Sequence, residues 1–310
     1  MSADFSTLRS IPPEIKRYIR GSERVVGKTG KVGILHLEFE RDSSNGNTVI
    51  REQYSHVPLF AQRAIYLEES LPAMAYVYIV SPSGGILQGD RYKIDIKLGN
   101  NTYAHVTTQG ATRIYKMEKN YASQTININV DNESYFEYIP DQIIPFRNSR
   151  FYQKVILNVH DSATMIYSEM ITSGRVASGE KFEYDICYIK TVARNHLGRP
   201  RFMDVIKLEP KKEHLNVEGI LGNFDVVGTI YVVTREFHVK ALQFDLSQKI
   251  KQFEFAGKAS GGISILPGSQ GIIVRILGRR TEDVKNLILE TVGIARNRII
   301  GASFSGIRKS

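Results

Sequence analysis

Five acids stand beside predicted turns, and their side chains are the ones in this chain best suited to chemistry: Asp90, Glu137, Asp141, Glu169 and Glu180. Two carboxylates facing each other could work as acid and base in a hydrolysis. Arranged in series they could instead offer weak oxygen ligands to a passing divalent ion. A plainer use is to cap turns and pair with Arg91, Arg113, Arg147 or Arg175, and on spacing alone this use comes first. Other chemistries find less support. The histidines (His36, His56, His105, His160, His196, His214 and His238) are scattered singly. No His-x-His, His-Glu-x-x-His or Cys-x-x-Cys spacing occurs, so no preassembled zinc or nickel site is legible. The segment Thr107-Thr-Gln-Gly-Ala-Thr112 has no Gly-x-Ser-x-Gly elbow and no visible base, which argues against a nucleophile. The run through Gly84, Gly85 and Gly89 ends in Asp90 and feeds a strand. A phosphate loop would end in Lys-Ser/Thr and open a helix, whereas an acid there repels phosphate.

Short strands must position these acids. Ala75-Tyr-Val-Tyr-Ile-Val80 is β-favouring, breaks at Pro82, turns through Gly84 and Gly85, and enters the alternating Arg91-Tyr-Lys-Ile-Asp-Ile-Lys-Leu98. Asp90 is expected to reach the surface of a sheet there. Upstream, residues 31–40 alternate, Asn45-Gly46 supplies hairpin chemistry, and residues 48–54 return. Downstream, residues 103–108, 125–130, 135–139, 151–159, 163–167, 181–189, 202–208 and 224–234 repeat the pattern, rich in β-branched and aromatic side chains. The period then changes: Val239, Leu242, Leu246, Ile250 and Phe253 share one helical face. Two strands follow, and Thr281 is read as the N-cap of a second helix whose Val284, Leu287, Ile288 and Val292 face inward.

The expected fold is mainly β, a β-helical or stacked-strand body with two α-helices near the C-terminus. Residues 1–25 read as a basic, loosely held arm carrying Lys16, Arg17, Arg20 and Arg24. Residues 26–310 read as a single domain whose last part, 236–310, is a helix–strand–strand–helix module. The chain has 310 residues, a formal charge of +9 and one cysteine, which suits a reducing cytosol. No apolar run is long enough to span a bilayer and no secretion signal is visible, so a cytoplasmic protein is expected, with no membrane partner. Sixteen tyrosines with a basic balance could suggest nucleic acid, but they lie mostly within strands, and no nucleic-acid partner is expected.

The chain resembles the urease accessory protein UreD (also called UreH) family. The resemblance rests on Pro58-Leu59, Gly84-Gly-Ile-Leu-Gln-Gly-Asp90, Thr107-Thr-Gln-Gly-Ala-Thr-Arg-Ile-Tyr115 and Gln124. It continues through Glu137-Tyr-Ile-Pro-Asp-Gln142, Ile144-Pro-Phe146, Gly174-Arg175, Gly179-Glu180, Gly262–Leu266 and Val274–Gly278. Tyr138 stands where the family often has Trp, and Arg113 where it often has Lys. The resemblance implies a scaffold rather than an enzyme, with no permanently bound cofactor. It would bind urease apoprotein and the partners UreF and UreG, and pass nickel transiently along an internal polar passage. Such a route wants weak oxygen ligands, because imidazole and thiolate clusters would trap the ion. Asp90 is the first passage candidate, followed by Glu137, Asp141, Glu169 and Glu180. Gly84, Gly85, Gly89, Thr108, Gln109, Gly174 and Arg175 would be structural. Asp90→Ala is expected to fold normally and to slow urease activation. A stand-alone carboxylate-dependent β hydrolase is the alternative.

Overall fold

The computed structural model describes residues 11–19 and 30–306. A single helical turn, α1 (Pro13–Lys16), precedes a hairpin, β1 (Val32–Arg41) and β2 (Thr48–His56), and the short β3 (Phe60–Ala61). The body winds through β4 (Ala75–Val80), β5 (Arg91–Leu98), β6 (Tyr103–Thr108), β7 (Thr112–Ile114), β8 (Ala122–Val130) and β9 (Tyr135–Tyr138). It continues through β10 (Ile143–Pro145), β11 (Arg150–Val159), β12 (Thr164–Thr172), β13 (Ile186–Asn195), β14 (Pro200–Leu208) and β15 (Val226–Val233). Last come α2 (Glu236–Phe255), β16 (Ala259–Ile265), β17 (Gly271–Gly278) and α3 (Thr281–Ile300).

The strands form two sheets. One runs β14-β13-β11-β8-β5-β1-β2; the other runs β16-β17-β15-β12-β9-β6-β4-β3, with β10 beside β12 and β7 beside β10. The chain alternates between them, so β4 and β5, β6 and β8, β9 and β11, and β12 and β13 are successive sides of stacked coils. Neighbouring coils pair in parallel: Ile96 with Ile128, Ile128 with Leu157, and Leu157 with Ala193. All four side chains are fully buried, a ladder that fills the space between the sheets. Each coil alternates buried and partly exposed residues on its solvent-facing sheet, as in β5. By contrast β12 is buried throughout, because its second face lies under helices. Val239, Leu242, Leu246 and Ile250 of α2 and Val284, Leu287, Ile288 and Val292 of α3 pack there. Each such side chain stabilises the second core by about 1.5–3 kcal/mol.

Four local expectations change. The glycine turn after β4 carries the chain to the other sheet, and Asp90 is buried rather than at a surface. The strand expected from Lys181 begins at Ile186, since the preceding loop carries positive φ at Gly179 and Phe182. Thr281 is the first residue of α3 rather than its cap; Arg280 takes that position without a side-chain bond, and Glu282 and Asp283 supply the first-turn acids. Part of the basic arm is held: Ile15 of α1 is buried against Tyr121, Tyr152 and Ile186 of the seven-stranded sheet. Arg20 and Arg24 lie outside the described residues. Among the described residues no helix is long and apolar enough to cross a membrane.

Candidate functional site

A cavity of about 250 Å³ opens between the sheets where the coils pass from one to the other. Gly84, Gly85, Thr108, Gln109, Asp141 and Glu169 all line it, so distant stretches of sequence converge there. The turn is shaped for this. Gly84 and Gly89 have φ of +68° and +81°, and a Cβ on Gly85 would sit 2.5 Å from the Tyr115 ring and 2.7 Å from the Arg113 carbonyl. Successive coils are tied together by their N–H groups: Gln109 N–H donates to the Ile79 carbonyl at 2.9 Å, and Asp141 N–H to the Thr108 side-chain Oγ1 at 2.9 Å. The Asp141 carboxylate accepts from Lys285 of α3 at 3.1 Å.

Glu169 projects inward from β12 and is 3% exposed. Tyr167 donates to its Oε2 at 3.0 Å, and the Tyr231 hydroxyl lies 3.3 Å from Oε1. Burial pushes its pKa up to about 7, with Asp204 adding to the rise and the Tyr167 bond opposing it. From Glu169 a polar chain runs both ways along the coil axis. Along the cavity wall, Gln153 donates to the Tyr167 hydroxyl at 3.2 Å, and Gln124 to Gln153 at 3.3 Å. Away from it, Tyr231 also bonds Asp204, and Arg275 reaches the same carboxylate at 2.5 Å. Arg275 and Asp204 have side chains 40% and 20% exposed, so the chain ends at the surface.

The other expected acids are placed differently. Asp90 is 1% exposed and does not line the cavity: its Oδ1 accepts from Lys31 N–H at 2.8 Å and its Oδ2 from Leu87 N–H at 2.9 Å. The carboxylate therefore clamps the turn, and Asp90→Ala would leave two part-buried backbone donors without their acceptor. Glu137 points the opposite way from the interior, since Phe136 and Tyr138 take the inward phase of β9. It lies under α3, bonded by His105 at 2.6 Å, Tyr135 at 2.9 Å and Arg296 at 3.0 and 2.6 Å. Burial alone would raise its pKa, but His105 and Arg296 outweigh it and hold the carboxyl at about 2. Arg296 also bonds Glu68 at 3.0 Å, and Glu68 accepts from Ser305 N–H at 3.0 Å and its hydroxyl at 2.7 Å, strapping the C-terminal segment down. Glu180 is held by Arg175, whose hydrogen bond lowers its pKa, and Gly174 leaves no room for a Cβ, which would lie 2.8 Å from the Glu180 carbonyl. These residues shape the loop after β12.

Sequence reasoning missed Gln153, Tyr167, Tyr231, Asp204 and Arg275 as members of one chain. The available signal was phase: Gln124, Gln153 and Glu169 are polar at positions where their strands turn inward. It also missed a grouping on the outer face of the β1–β2 hairpin, where ligand atoms of His36, Glu38 and Glu52 lie within 4.8 Å of one another. Glu38 there already pairs with Lys97 at 2.9 Å. Cys187 is fully buried, and burial pushes its thiol up, away from the thiolate a metal would need.

This fold and site define a β-helical protein with two stacked sheets, a helical cover, and a polar line of carboxylate, tyrosine and amide groups through its interior. Comparison with known proteins is specific. The family model described as UreD urease accessory protein matches residues 31–308. A protein named urease accessory protein UreD from Cenarchaeum symbiosum is 43% identical over 284 residues, covering 92% of this chain and 98% of its own. One of the same name from Photorhabdus laumondii is 36% identical, covering 94% and 90%, and urease accessory protein UreD 2 of Brucella suis is 38% identical, covering 89% and 91%. The chain belongs to the UreD family of urease accessory proteins.

Proposed function

We propose that this chain acts in urease maturation as a non-catalytic scaffold that binds urease apoprotein together with UreF-like and UreG-like partners and passes nickel toward the urease active site. The cargo ion travels along the polar line between the sheets. The observation that carries this reading is the unbroken sequence Gln124–Gln153–Tyr167–Glu169–Tyr231–Asp204–Arg275, which joins the cavity to the surface through an otherwise apolar core. Every member but the terminal Arg275, which is the counter-charge of Asp204, offers an amide, phenol or carboxylate oxygen, which binds nickel weakly enough to release it. Glu169 is the central station: with a pKa near 7 it exchanges a proton for a cation at little cost. Asp141 attracts the ion at the cavity, with Lys285 as the counter-charge it must leave.

The test is a drop-out reconstitution. Urease apoprotein, the other accessory proteins, nickel, bicarbonate and GTP are incubated with and without the chain, and ammonia release is followed. Activity that requires the chain, and that falls with Glu169→Gln while nickel excess fails to restore it, supports the reading. Activity indifferent to the chain overturns it.

A further inference from the structure

Helix α2 is apolar on two opposite faces, and only one is covered. Opposite its buried stripe, Phe237, Phe244 and Phe255 are 68%, 66% and 97% exposed. With the exposed Ala241, Gln248 and Lys251 they follow each other at alternating spacings of four and three along the helix, the seam of a coiled coil. Lys240 stands beside the seam, and neither it nor Lys251 makes an ion pair with another described residue. Of the acids on α2, Asp245 is engaged with Arg298 and Glu254 with the Gly261 N–H and the Ser260 hydroxyl, while Glu236 in the first turn stands four residues before Lys240, leaving Lys251 as the seam's cation farthest from any free acid of the helix.

We infer that this stripe docks an amphipathic helix of a partner protein whose apolar seam is edged with Glu or Asp, one of them opposite Lys251. Charge disfavours a second copy as occupant, because in-register antiparallel pairing sets Lys251 beside the other copy's Lys240 and parallel pairing sets like against like. A lipid surface fits poorly, because Gln248 and Lys251 interrupt the seam itself. The stripe lies on the helical layer, away from the cavity, so the inference stands independently of nickel transfer.

The test uses the full chain and two stapled, monomeric helical peptides that share a leucine seam, one flanked by Glu and the other by Lys. Binding is read by fluorescence anisotropy at low and at moderate salt. The chain is expected to bind the Glu peptide at least tenfold more tightly than the Lys peptide; the ratio should reverse in Lys240→Glu/Lys251→Glu. Phe244→Ser/Phe255→Ser is expected to lose binding at least tenfold with an unchanged urea midpoint, since both rings are exposed. Equal affinity for the two peptides overturns the inference, as does binding that survives the double Phe substitution. So do self-association abolished by that substitution and sedimentation of the chain with phosphatidylglycerol vesicles.

Discussion

Glu169 and Glu137 are both buried carboxylates, yet their protons respond oppositely because their partners differ. Burial and a second acid nearby raise the pKa of Glu169, and the hydrogen bonds from its phenols only partly oppose them, so its folded-state value lies above that of the unfolded chain. The folded state then holds a proton the unfolded state has lost, and stability falls as pH rises from about 4.5 to about 7, by on the order of 3 kcal/mol. Glu169→Gln should flatten that part of the profile in urea unfolding at pH 5 and pH 8. Glu137 has a guanidinium and an imidazole, and its pKa is held at about 2. Its contribution is present above the unfolded value and disappears as pH falls toward 2. Removing the cation is the sharper test: Arg296→Met leaves Glu137 and Glu68 buried without it, and should cost about 3–5 kcal/mol by denaturant titration. Asp90→Ala belongs with these, with an expected loss of about 1–2 kcal/mol from two part-buried N–H donors. Asp90→Asn, keeping one acceptor, should lose less.

At the scale of elements, the turn between β4 and β5 is where conformation and cavity meet. A methyl on Gly85 collides with the Tyr115 ring and the Arg113 carbonyl, and the carbonyl belongs to the adjacent coil's backbone. Gly85→Ala should therefore destabilise the protein by about 1–3 kcal/mol and lower the rate of urease activation beyond what the lost stability explains. Thermal melts alongside the reconstitution assay separate the two effects. The helices were legible as elements because their apolar residues recur at helical spacing. Their ends were less so: Thr281 had cap chemistry, but Arg280 takes the cap position, and only backbone geometry distinguishes the two.

Across the whole molecule, the polar line matters only if it is continuous. Gln153→Leu interrupts it between Gln124 and Tyr167 while adding apolar volume to an apolar core. The variant is expected to keep its melting temperature within a few degrees and to slow reconstituted activation several-fold. Unchanged activation would count against the proposed passage.

The sequence by itself determined the strand ladder, the two late helices with their inward faces, and the family, because these depend on local periodicity and on short motifs with fixed backbone demands. It also marked Asp141 and Glu169, which do line the cavity. Tertiary structure alone decided which acids share a site. Asp90, Glu137 and Glu180 read in sequence much as Glu169 does, but strand phase and coil stacking direct one into a backbone clamp, one beneath α3 and one onto Arg175. A parallel register brings Gln124 against Gln153, and an antiparallel one brings Tyr231 against Tyr167, across long sequence separations. No local pattern encodes those meetings, because they arise only when the coils stack.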